Sequence, residues 1–102
     1  MFKRISIIEA KQMLDSGDAQ IVDIRDEHSF MAGHIPSATH LDNSNLQAFI
    51  ESADPDKPLL VCCYHGNSSQ SAAEFLNNKG FEQTFSIDGG FESWKLQFPT
   101  EN

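Results

Sequence analysis

The chain has 102 residues and a mass of 11.4 kDa, enough for one buried core and too few for two, so residues 1–102 are expected to form a single domain. Fifteen Asp and Glu against seven Lys and Arg leave a formal charge of −8. That charge repels a phosphodiester backbone or an anionic lipid surface, so neither nucleic acid nor membrane is an expected partner.

Along the chain, Ser6 with Glu9 three residues on forms a capping box, and Ala10, Met13 and Leu14 recur behind it at helical spacing until Gly17. Residues 19–25, with Ile21, Val22 and Ile24, read as a buried strand. A short helical turn over 27–32 stops at Gly33, a brief strand covers 39–41, and residues 45–52 place Leu46, Phe49 and Ile50 on one helical face. Residues 59–63 form the longest unbroken apolar run, far short of the roughly 20 residues that cross a bilayer. Such a run fits a strand buried on both faces at the centre of a parallel sheet. Residues 69–79 carry Ala72, Ala73, Phe75 and Leu76 toward the core of a helix that Gly80 ends. A strand over 84–87 follows, and Asp88, Gly89 and Gly90 turn the chain into a last helix with Phe91, Trp94, Leu96 and Phe98, closed by Pro99, in which Phe91, Trp94 and Phe98 are read as core. Strand and helix alternate throughout. This predicts an α/β fold, a mainly parallel central sheet of about five strands with helices on both faces, to which residues 2–5 add an edge strand.

Ile5, Ser6, Ile7 and Ile8 run directly into Glu9, leaving no apolar stretch of the roughly 7 residues a secretory signal needs, so a cytoplasmic location is expected. Cys62 and Cys63 are neighbours, and a bridge between them would close a strained ring, so both thiols are read as reduced.

In open parallel sheets, ligands bind beyond the carboxyl ends of the strands. Cys63 stands at such an end. Tyr64, His65, Gly66, Asn67 and Ser68 then form a short polar loop that feeds a helix. A tight loop around a glycine turns successive N–H groups inward, and with the helix N-terminus behind it favours a thiolate. A cysteine at a strand end is more often a small buried hydrophobe, and Cys62 is assigned that role because strand side chains alternate. The polar loop and the helix start set Cys63 apart as a candidate nucleophile, with Tyr64, His65, Gly66, Asn67 and Ser68 as the substrate-binding loop.

The run Cys-Tyr-His-Gly-Asn-Ser-Ser from Cys63 resembles the active-site loop of the rhodanese-type sulfurtransferases, particularly their small single-domain thiosulfate sulfurtransferases. Val22-Asp23-Ile24-Arg25, Phe30, Gly33-His34-Ile35-Pro36 and Ala38 resemble the family's amino-terminal signature, and Ile87-Asp88-Gly89-Gly90-Phe91 with Trp94 its carboxyl-terminal one. The resemblance implies a rhodanese-like fold and double-displacement chemistry. Cys63 takes the sulfane sulfur of thiosulfate as a persulfide, sulfite leaves, and cyanide or a thiol such as reduced thioredoxin accepts the sulfur. It implies no cofactor and no metal, and a monomer is expected. Where many loops of the family end in Arg, this one has Ser68, and His65 is its only titratable cation. Anion binding is therefore expected to rest on backbone amides and the helix dipole, with weak affinity for thiosulfate.

Other polar residues read as structural. Arg25 stands among Asp23, Asp26 and Glu27 and is assigned a salt bridge. His28, His34 and His40 are too irregularly spaced for a zinc site, and Asp23 and Asp88 are given turn and cap roles. The rival enzyme class is a cysteine phosphatase, which shares the strand, loop and helix geometry but needs an Arg six residues after the nucleophile. Ser69 stands there. An interaction module without catalysis is the remaining alternative.

Overall fold

The Ser6 signal operates as its spacing predicts. Ser6 Oγ accepts the Glu9 N–H at 3.1 Å and caps α1 (Ile7–Asp15), whose Ile7 and Ala10 are buried. Its own hydroxyl reaches Glu9 Oε1, so the pair closes through side chains rather than through the carboxylate and the cap N–H. The computed structural model describes residues 1–102. Four further helices follow, α2 (Glu27–Ala32), α3 (Leu46–Ser52), α4 (Ser68–Asn78) and α5 (Gly90–Trp94), between five strands, β1 (Lys3–Ile5), β2 (Gln20–Asp23), β3 (Thr39–His40), β4 (Leu59–Cys62) and β5 (Thr84–Ile87). The strands form one sheet in the order β1-β5-β4-β2-β3, and every ladder in it is parallel. The apolar run of β4 is buried along its whole length and holds the middle of the sheet.

Each face of the sheet carries its own core. Ile21, Leu60, Cys62 and Ile87 pack with Ile7, Ala10, Phe91 and Trp94 on the α1 and α5 side. Val22, Leu59 and Val61 pack with Ala73, Leu76 and Phe81, backed by Phe49 and Ile50, on the α3 and α4 side. This period-2 sorting of β4 follows from the strand pleat. Its functional result lies between β4 and β5. These strands are adjacent, yet the helices that follow them cover opposite faces, so a crevice opens beyond their carboxyl ends.

The structure departs from the sequence reading in three places. The second strand ends at Asp23, although Ile24 N still donates to Cys62 O at 2.9 Å. Phe75 is 43% exposed and lines a groove with Ile24, Leu41 and Leu46, because α4 rests on the sheet through Ala73 and Leu76. Leu96 is 79% exposed, since α5 ends at Trp94 and the chain turns so that the Trp94 indole N–H donates to Pro99 O at 2.9 Å. No helix is long and apolar enough to cross a membrane.

Candidate active site

Cys63 follows directly on β4, and five residues carry the chain from it to Ser69 in the first turn of α4. The loop curls back over the cysteine. Gly66 N and Ser69 N each lie 3.2 Å from Cys63 Sγ and donate to it, and Ser69 Oγ is also 3.2 Å away. Gly66 makes the curl possible at φ +90°, where a Cβ would stand 2.9 Å from Gly89 N and 3.1 Å from Ile87 O. No L side chain fits there without moving backbone.

The loop is braced from β5 and α5. Phe91 N donates to Cys63 O at 2.8 Å and Glu92 N to Tyr64 O at 3.0 Å. The first amides of α5, which have no intrahelical acceptor, are thus used to hold the carbonyls of the loop. From the other side, Gln70 Nε2 donates to Gly66 O at 2.9 Å. Tyr64 is exposed, and its hydroxyl meets Asp26 and Ser29 at the start of α2.

The two cysteines occupy opposite environments. Cys62 has no exposure and packs on the α1 and α5 side. Burial pushes its thiol pKa up, and the nearby Asp23 carboxylate adds to the shift. Cys63 keeps 2% of its surface. Burial is the largest single influence on it and acts upward. The Ser69 hydroxyl and the N–H groups of Ser69, Gly66 and His65 together outweigh burial and bring the thiol below its ordinary value. The ionised form therefore gains as pH rises through this lowered value and is lost as pH falls through it. We expect alkylation of Cys63 by iodoacetamide, with the site read from peptide masses, to show a rate midpoint below the ordinary thiol value of about 8.5. A midpoint at or above that value would refute the electrostatic account.

Of the residues singled out from the sequence, Cys63, His65 and Gly66 come together at the sulfur, the latter two through their backbones. The side chains of His65, Asn67 and Ser68 face solvent, and Ser68 opens α4. Sequence reasoning missed two hydroxyls. Ser69, noted only as standing in a phosphatase arginine's place, has no exposure and contributes both N–H and Oγ. Ser86 in β5, also without exposure, lies 2.8 Å from Ser69 Oγ. The one trace of Ser86 in the sequence is a serine flanked by Phe85 and Ile87.

The charges around the loop are mainly anionic. Asp26 and Glu92 are both held below the usual carboxylate range, the first by the Ser29 N–H and hydroxyl and the second by Lys95. Arg25, the nearby guanidinium, is buried and paired through Nε and Nη2, while Nη1 makes no hydrogen bond. Its Nη2 donates to Asp23 Oδ2 at 2.8 Å and to Gly33 O at 2.7 Å, and its Cζ sits 4.1 Å from the centre of the Phe91 ring. The salt bridge expected for Arg25 therefore forms, in the interior rather than on the surface. Asp88 pairs with Arg4 at 2.7 Å, while His34 and His40 bond the carbonyls of Phe30 and Arg25. No three His, Cys, Asp or Glu side chains converge as a metal site would require.

Residues 6–97 match the family described as the rhodanese-like domain. The chain is 55% identical over 100 residues to the thiosulfate sulfurtransferase GlpE of Ectopseudomonas mendocina, a match that covers 98% of this chain and 91% of the relative. Among solved structures it is similar to a rhodanese-like domain from Anabaena sp., with a TM-score of 0.86 at 25% identity, covering 100% of this chain and 80% of the other. It is also similar to a Rhodopseudomonas palustris protein of unknown function described as a possible tyrosine phosphatase, with a TM-score of 0.83 at 28% identity, covering 98% and 85%.

Proposed function

The chain belongs to the rhodanese-like domain family, and from that premise we propose that residues 1–102 act as one domain that transfers the sulfane sulfur of thiosulfate through a persulfide on Cys63. The observation that carries this reading is the set of groups gathered on one sulfur: the Gly66 and Ser69 N–H donors, each at 3.2 Å, with Ser69 Oγ at the same distance. Donors so arranged favour the thiolate over the thiol, and the thiolate is the nucleophilic form.

In the first half-reaction the Cys63 thiolate attacks the outer sulfur of thiosulfate. A bond forms between Sγ and that sulfur, the S–S bond of thiosulfate breaks, and its electron pair leaves with sulfite. No proton has to move, so no general acid is needed. The attacked sulfur must be terminal and protruding to reach a cysteine with 2% exposure, and the sulfane sulfur of thiosulfate is both. The persulfide anion would be cradled by the backbone amides of Tyr64, His65, Gly66, Asn67 and Ser68, an oxyanion-hole type of stabilisation. In the second half-reaction cyanide attacks the outer sulfur and leaves as thiocyanate, restoring the thiolate. A cellular thiol such as reduced thioredoxin takes the same place in a cytoplasmic setting. The chain works as a monomer, since every group named lies within it.

Asp26 repels a dianion, Lys95 is spent on Glu92, and Arg25 is committed to Asp23. Thiosulfate therefore binds weakly, held mainly by backbone dipoles. The same lack of a free guanidinium argues against phosphoryl transfer, because Ser69 stands where a cysteine phosphatase places its bidentate Arg and spends both its N–H and its Oγ on the sulfur.

Intact-protein mass measurement tests this reading. Thiosulfate without an acceptor is expected to add one sulfur atom, located on Cys63 by peptide mapping, and cyanide is expected to remove it with one equivalent of thiocyanate. A phosphate ester assayed in parallel should show no turnover. If the reduced, folded protein never gains the sulfur, thiosulfate is not its donor.

A further inference from the structure

Behind Cys63, on the side away from the loop's opening, the sulfur is backed by two hydroxyls in series. Cys63 Sγ lies 3.2 Å from Ser69 Oγ, which lies 2.8 Å from Ser86 Oγ. Both serines have no exposure, and Ser86 Oγ has no other partner. As a thiol, Cys63 and the two serines carry one hydrogen each, yet only two gaps separate them. One hydrogen must then lie outside the two gaps: either that of Ser86, buried without an acceptor, or the weakly donating S–H of Cys63, turned away from the serines. Once Cys63 has lost its proton, two hydrogens remain for two gaps. Ser86 then donates to Ser69, Ser69 donates to the sulfur, and no hydrogen is left over. Both bonds run toward the anion, so each strengthens the other.

We propose that Ser86 is a positioning residue for sulfur transfer, its buried hydroxyl orienting Ser69 as a donor to Cys63 Sγ and so holding the sulfur as an anion. The relay lies on strand β5 and the first turn of α4, and both of its hydroxyls belong to residues without exposure. Adding Ser86 to the site deepens the sulfur-transfer reading above and rests on it for its purpose, although the effect on the thiol stands by itself.

The test is the pH profile of Cys63 alkylation by iodoacetamide, which uses no sulfur donor. It is measured on the wild type, Ser86→Ala, Ser69→Ala and the double variant. The ionisable groups facing the loop are unchanged in all four: His65 on it, Cys62 at the end of β4, Asp88 and the Glu92–Lys95 pair from the β5 to α5 side, and Asp26 with the Asp23–Arg25 pair from the β2 to α2 side. Ser86→Ala is expected to raise the midpoint by about one pH unit, hence to slow alkylation at neutral pH by up to roughly tenfold. In the Ser69→Ala background the same change is expected to do nothing further, because Ser86 acts only through Ser69. Should the alanine variant not fold, Ser86→Cys keeps nearly the same volume with a weaker donor, and a smaller rise is expected. An unmoved midpoint in the folded variant, or an equal rise with and without Ser69, would overturn the proposal. Failure of thiosulfate to load sulfur would leave this outcome untouched and count only against the choice of donor.

Discussion

Cys63→Ala is expected to abolish sulfur transfer, by more than about 10⁴-fold, while Cys62→Ala keeps most of it. The two residues are adjacent, so a general disturbance of the strand end would affect both variants alike. Their environments are not alike. Cys62 sits in the apolar layer between the sheet and the α1 and α5 helices, with burial and the Asp23 carboxylate both opposing its ionisation. It cannot replace a lost nucleophile. Removing its sulfur takes a small group from a packed layer and should cost about 1 kcal/mol, read from urea unfolding. Cys63→Ser sharpens the comparison. A serine hydroxyl keeps the shape of the donor cradle, but no base stands within it to ionise an alcohol, so this variant is expected to be as inactive as alanine. Equal losses in folded Cys62→Ala and Cys63→Ala would show that the nucleophile has been misassigned.

Much of this arrangement is legible in the chain because it is local. The apolar run of β4 announces a strand buried on both faces, and a polar loop after it that leads into a helix announces an anion site. The Ser6 cap and the short α2 are written in residues three and four apart. What the chain conceals depends on partners distant in sequence. Ser69 and Ser86 are 17 residues apart, and nothing near either one says that their hydroxyls meet behind Cys63. Arg25 stands in a polar stretch that reads as surface, yet it is buried because Gly33 and the Phe91 ring close over it. Phe75 misleads in the opposite sense, because helical spacing puts it on the inward face but the contact of α4 with the sheet is narrow. The last helix, read as running to Pro99, stops at Trp94.

Gly90→Ala is expected to damage both fold and activity, and it shows how the carboxyl-terminal motif serves the loop. Gly90 has φ +57°, which costs an L residue about 1–2 kcal/mol. A Cβ there would also stand 2.5 Å from Cys63 O and 2.6 Å from Tyr64 C and O. These are backbone atoms of the loop itself and cannot rotate away. Either α5 retreats, losing the bonds from Phe91 N to Cys63 O and from Glu92 N to Tyr64 O, or the loop shifts and takes Gly66 N off the sulfur. With the overpacking added, the expected loss is about 3–5 kcal/mol in urea unfolding. Activity in the fraction that remains folded should fall by about 10²-fold, the scale of a misplacement near 1 Å. Gly17→Ala separates the two contributions, because Gly17 has φ +82° and open space where its Cβ would go. It should lose about 1–2 kcal/mol and no activity. Gly89→Ala falls between them, since its Cβ would meet Ser93 alone, whose Oγ can turn aside but whose Cβ, 2.7 Å away, can give way only if α5 shifts. A Gly90→Ala variant as stable and active as Gly17→Ala would mean that α5 does not brace the loop, and that the amides around Cys63 are held by α4 alone.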